Sequence, residues 1–121
     1  HVYMPLSSGH AFDQVRDWVK ALAEELADKY PRLVAVAHGS THRGSQVTID
    51  YAQNSLGRST AAPYTVRARP GAPVSAPPTR DEVEEGRVRP EDFAMGMMPE
   101  RVARKGDLFA AVLKGGQSLT A

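Results

Sequence analysis

Residues 47–73, VTIDYAQNSLGRSTAAPYTVRARPGAP, limit the fold and chemistry of this chain more than any other stretch. Alternation predicts a strand with Val47, Ile49 and Tyr51 on one face and Thr48, Asp50 and Ala52 on the other, so Asp50 lies mid-strand and away from the apolar side. Residues 62–69 alternate in the same way, with Tyr64, Val66 and Ala68 opposed to Thr65, Arg67 and Arg69. Asn, Ser and Gly between the two runs supply turn conformations, so an antiparallel hairpin with a several-residue loop is the simplest connection. If the apolar faces share a core, Asp50 and Arg67 share the opposite surface. A strand carboxylate facing arginines has two readings: metal-assisted phosphate chemistry, or a structural ion pair between Asp50 and Arg67.

A chain of 121 residues suits one core of ordinary size and is short for two domains. It has no cysteine, which excludes disulfides and thiolate-bound zinc and agrees with a reducing, cytoplasmic setting. No apolar run approaches the roughly 20 residues of a membrane span, so a soluble protein without membrane contact is expected. The net charge of +1 suggests no polyanion partner, but its distribution does: residues 32–69 hold five arginines (32, 43, 58, 67 and 69) and a single acid, Asp50. This locally basic third has the character of a phosphate-contacting surface. A chain opening His-Val-Tyr-Met-Pro-Leu, already in strand-like alternation, reads as a fragment of something larger.

Phe12, Val15, Val19, Leu22 and Leu26 recur at three- and four-residue steps among charged residues, which predicts an amphipathic helix. Ser7, Ser8 or Gly9 is placed to cap it, and Tyr30-Pro31 ends it. Residues 33–37 form a short apolar run read as a strand, and 38–45, HGSTHRGS, a polar loop. In that loop His38 and His42 lack the shared helical face a zinc pair needs. The prolines of 70–78 exclude a helix or central strand and predict a stiff extended connection. Thr79-Arg80-Asp81-Glu82 has capping-box spacing and opens a short helix closed by Gly86. Pro90 and Pro99 mark further helix starts, the second running to Lys105-Gly106, and Leu108, Phe109, Val112 and Leu113 give the tail an apolar stripe. Trp18, Tyr30 and the three methionines Met95, Met97 and Met98 are read as packing, and Asp81, Glu82, Glu84 and Glu85 as a solvated helix face. The element order argues for an α/β or α+β fold, a mixed or antiparallel sheet with helices on one face. Within residues 1–121 it divides into a catalytic sheet and helix (1–69), a proline-rich connection (70–79) and a helical C-terminal region (80–121).

At Ile49-Asp50-Tyr51-Ala52-Gln53-Asn54 and at Ala62-Pro63-Tyr64-Thr65-Val66-Arg67-Ala68-Arg69-Pro70-Gly71-Ala72-Pro73-Val74-Ser75, the sequence closely resembles the polymerase domain of bacterial DNA ligase D, in the archaeo-eukaryotic primase superfamily. His1–Leu6 and the region from Pro90 to Phe109 extend the likeness over nearly the whole chain, as the C-terminal half of that domain. The resemblance implies a template-directed nucleotidyltransferase that adds ribonucleotides, or less readily deoxyribonucleotides, to DNA ends in non-homologous end joining. Asp50 matches the third metal-binding carboxylate, holding manganese or magnesium against a primer hydroxyl. His1 matches a histidine that hydrogen-bonds the incoming triphosphate, Arg67 an arginine on the nucleotide phosphates, and Arg43 and Gln53 positions lining the same cleft. DNA ends with a 5′-phosphate and nucleoside triphosphates are the implied partners, with Ku and a ligase domain beside them and a bacterial, nucleoid-associated location. The family's other two metal carboxylates, an Asp-x-Asp pair, do not occur in these residues. The isolated chain is therefore expected to be inactive, and its uncovered edges to favour self-association. The alternative is a non-catalytic nucleic-acid-binding module whose arginines hold a phosphate backbone.

Overall fold

The structure is a computed structural model that describes residues 1–37 and 44–120. These residues fall into two compact units, one built from His1–Pro5 and Ala61–Gly115, the other from Leu6–Thr60 and Gly116–Ala121. The proline-rich stretch 70–79 lies wholly inside the first.

In the second unit the periodic apolar run forms α1 (Phe12–Lys29), ended by Tyr30, whose N–H donates to the Leu26 carbonyl at 2.8 Å. No side chain caps its start: Ala11 stands at the N-cap, and Ser7 instead donates from its backbone N–H to the Gln117 carbonyl at 3.0 Å. The expected serine or glycine cap is thus displaced, because residues 6–7 are held beside 117 by a bridge between Leu6 and Gln117. Ala23 is fully buried. Its small side chain allows the close approach of α1 to β1 (Val34–Val36), the strand read from the run at 33–37. Trp18 donates its indole N–H to the Thr120 carbonyl at 2.7 Å, so it serves packing and anchoring together.

β1 pairs with β2 (Val47–Ile49) in parallel, Val34 opposite Val47 and Val36 opposite Ile49. This corrects the expected antiparallel hairpin between the Asp50 strand and residues 62–69. Val66 pairs instead with Val74, in a single antiparallel bridge. The alternation at 62–69 does not become a strand because Tyr64 takes a left-handed φ of 65° and Pro63 and Pro70 withhold ladder donors.

In the first unit the core is Val74, Phe93 and Met98, with Tyr64, Ala76 and Val88 packed against it. The proline-rich segment is therefore the centre of this unit, not a connection. Pro73 has no N–H to give, but its carbonyl accepts from Arg67 at 2.8 Å, and the Val74 N–H donates to the Phe93 carbonyl at 2.7 Å. A proline beside a donor-bearing valine can thus join two neighbours at once, with bridges from Val74 to Val66 and from Pro73 to Ala94.

α2 (Arg80–Glu84) opens on the expected capping box: Glu82 N–H donates to Thr79 Oγ1 at 3.2 Å and Thr79 N–H to Glu82 Oε2 at 2.7 Å. α3 (Met98–Lys105) starts with Pro99 in its first turn and stops at Gly106, whose φ of 73° a side chain would oppose. Met98 is buried, whereas Met95 and Met97 are exposed, so one of the three methionines fills the core. Leu108, Phe109 and Val112 are half-buried, and Leu113 is left in solvent at the end of a 3-10 turn. The architecture is α/β, with a small parallel sheet and helices.

Candidate functional site

Asp50 is not mid-strand. It follows the last residue of β2 and begins a 3-10 turn, Tyr51–Gln53, with its carbonyl accepting from Gln53 N–H at 3.4 Å. The strand brings the chain to this point and the turn lifts Asp50 out of the ladder, so its carboxylate is exposed. Among the described residues it makes no ion pair within its own unit. Gln53 lies three residues on and donates from Nε2 to the Ser59 carbonyl at 3.4 Å, which closes the loop that follows. Asn54 closes the turn itself, donating from Nδ2 to the Tyr51 carbonyl at 3.3 Å. The Lys20 ammonium stands 5.9 Å from the centre of the Tyr51 ring, so α1 backs the turn that presents Asp50 and Gln53.

His1 and Arg67 belong to the other unit. His1 is exposed, its ring 6.3 Å from Tyr3 and edge-on to it. Tyr3 is in turn edge-to-face with Phe109 at 5.1 Å and donates its hydroxyl to the Ala61 carbonyl at 3.4 Å. Arg67 is half-buried in the hairpin around Val66 and Val74, with Nη1 at 3.5 Å from Ser75 Oγ, and among the described residues most of its guanidinium donors are uncommitted. Arg43, His38 and His42 lie outside the described residues.

The Tyr64 hydroxyl donates to Asp107 Oδ1 at 2.6 Å, and the same oxygen accepts from Phe109 N–H at 3.0 Å. The Tyr64 hydroxyl, then the Phe109 amide, hold the Asp107 carboxyl below its usual range. Burial first and Asp107 second push the Tyr64 phenol up. Both residues edge an open depression of about 560 Å³ floored by Val74 and Met98. Neither was singled out by sequence: alternation placed Tyr64 in a strand, and a lone aspartate after glycine carries no pattern.

The acidic run 81–85 is also not simply solvated. Glu82 is turned inward, taking two parallel hydrogen bonds from Arg101 at 2.8 and 2.7 Å, with Lys105 at 3.3 Å. Arg101 is buried, donates also to the Pro77 carbonyl at 3.1 Å and stacks over Phe93 at 4.8 Å. Glu82 already faces the chain through the capping box, a hint the sequence contained. The burial of Arg101 had none.

Of the residues that the resemblance assigns to a metal, Asp50 is the one carboxylate present. No three His, Asp or Glu side chains converge among the described residues, and oxygen-loving divalent cations take six or more ligands. These residues do not fit a complete metal site. Among the described residues no helix is long and apolar enough to cross a membrane.

A family model described as LigD, primase-polymerase domain, matches residues 1–109. The multifunctional non-homologous end joining protein LigD of Pseudomonas aeruginosa is 39% identical over 84 residues, 69% of this chain and 10% of that protein. The protein of the same name from Mycolicibacterium smegmatis is 30% identical over 110 residues, 91% of this chain and 14% of that protein. The polymerase domain from Mycobacterium tuberculosis ligase D, solved in complex with DNA, superposes with a TM-score of 0.82 at 28% identity, covering 93% of this chain and 39% of that one. The chain thus spans a small part of the length of its curated relatives. On its own sequence and its own fold, it belongs to the LigD primase-polymerase domain family.

Proposed function

We propose that this chain is part of a DNA-end nucleotidyltransferase, which adds ribonucleotides or deoxyribonucleotides in a template-directed manner during non-homologous end joining. The observation that carries the reading is Asp50: an exposed carboxylate at a strand-to-turn junction, inside the Ile49–Asn54 motif. In this reading Asp50 is one of three carboxylate ligands of a manganese or magnesium site, the other two coming from an Asp-x-Asp outside these residues. His1 and Arg67 contact the triphosphate of the incoming nucleotide, Arg67 with the donors that Ser75 leaves uncommitted. Gln53 and Arg43 are assigned to nucleotide binding on the family resemblance alone. DNA binding is supported by the solved relative, a complex with DNA; in this reading the DNA is an end with a 5′-phosphate, and Ku and a ligase domain are partners of the parent protein.

A single carboxylate does not assemble the site, so the 121 residues alone are inactive as a polymerase. The other reading is a binding module in which the arginines hold a DNA backbone without chemistry. Asp50→Ala in the parent protein separates the two. A polymerase loses metal-dependent extension and keeps DNA binding, whereas a binding module has no extension to lose.

A further inference from the structure

We propose that the Tyr64–Asp107 pair is a positioning device that sets the triphosphate contacts of His1 and Arg67 relative to each other. This rests on the nucleotide-binding reading of those two residues.

The starting observation is a tyrosine held at φ 65°, where a side chain crowds its own backbone. Such a conformation persists where surrounding contacts fix it. Here the contacts are the 2.6 Å bond from the Tyr64 hydroxyl to Asp107 and the 2.9 Å bond from its N–H to the Ser75 carbonyl. Two arms leave this point. Along one, Asp107 fixes Phe109 through its N–H at 3.0 Å, the Phe109 ring fixes Tyr3 at 5.1 Å, and His1 leans on Tyr3 at 6.3 Å. Along the other, Ser75 N–H bonds Thr65, Arg67 N–H bonds Pro73, and Ser75 Oγ accepts from the Arg67 guanidinium at 3.5 Å.

Every residue on both arms lies in one unit. The Tyr64 hydroxyl touches neither His1 nor Arg67, yet it ties the segment that carries one to the segment that carries the other. A triphosphate held by two distant groups is sensitive to their spacing, since small misplacements forfeit contacts together. A nucleoside without phosphates is not.

The test is calorimetric titration of the complete polymerase domain, this chain together with the Asp-x-Asp segment, with adenosine triphosphate, and with adenosine as the comparison ligand. Tyr64→Phe and Asp107→Ala are each expected to weaken triphosphate binding about fivefold, and the double variant to be no weaker than either, because one shared bond is lost. Asp107→Asn, whose amide oxygen still accepts from Tyr64 and Phe109, restores binding to within about twofold. The side-chain N–H resonance of Arg67 shifts in Tyr64→Phe while the backbone N–H resonance of Val74, in the core of the same unit, stays in place, which separates a positioning effect from unfolding. Undiminished triphosphate binding by Tyr64→Phe, alongside weakened binding by His1→Ala and Arg67→Ala, overturns the positioning role alone. If the unaltered domain binds no triphosphate, or His1→Ala and Arg67→Ala bind it unchanged, the nucleotide-contact reading falls and takes this inference with it.

Discussion

The Arg101 guanidinium and the Glu82 carboxylate meet fork to fork, at 2.8 and 2.7 Å, with 8% and 17% of the two side chains left in water. The pair joins the start of α2 to the middle of α3, and the Phe93 face covers the cation. Removing one partner strands the other. Glu82→Ala should therefore cost about 3–5 kcal/mol in urea unfolding, whereas replacing both residues by methionine should recover most of that loss.

The same pair sets an acid sensitivity. Arg101 first, and then the Thr79 amide, hold the Glu82 carboxyl far below its ordinary value of 4.5. A carboxyl depressed in the folded state takes up its proton more readily when unfolded, so its stabilising contribution is complete above 4.5 and declines as pH falls from there through the folded value. Unfolding midpoints followed downward from neutral pH should fall steeply across that window in the unaltered chain. They should be lower at neutral pH but flatter in Glu82→Gln.

Thr79 caps α2 through its hydroxyl, at 3.2 Å from the Glu82 N–H. Thr79→Ala should lower stability by about 1 kcal/mol, and Thr79→Ser should restore it.

Gly106 ends α3 at φ 73°, with no atom within 4 Å of where a Cβ would stand. Space is free, so the penalty for Gly106→Ala is in the backbone: φ 73° with ψ −172° is a region almost confined to glycine, and the cost is about 1–3 kcal/mol. Urea unfolding of Gly106→Ala should show a lower midpoint at an unchanged slope, a loss of stability without a change in the surface exposed.

Local structure was legible wherever one segment carried its own signal. The spacing of Phe12 through Leu26 gave α1, Tyr30-Pro31 its end, and Thr79-x-x-Glu82 the capping box. Partnership was not. Alternation at 47–52 says which residues share a face and nothing about which strand lies alongside, so the parallel pairing with Val34–Val36 escaped notice. The proline content of 70–78 argued against a central position, yet a single N–H at Val74 sufficed to place it in the core. Of the candidate site, the family resemblance proposes Asp50, Gln53, His1 and Arg67 by position. The turn that exposes Asp50, and the Tyr64–Asp107 bond between the segments of His1 and Arg67, depend on contacts between residues 43 or more apart or on a break in strand geometry, neither of which a linear pattern records.

Asp50 is proposed above as a metal-ligating carboxylate of a DNA-end polymerase. That role is tested most directly by manganese-dependent addition of a labelled ribonucleotide to a gapped, 5′-phosphorylated DNA duplex, using the parent protein, its Asp50→Ala variant and the 121-residue chain. The account predicts extension by the parent alone, with DNA binding and folding unchanged in the variant because Asp50 is exposed. Extension by the Asp50→Ala parent at the unaltered rate, or by the 121-residue chain on its own, would contradict it.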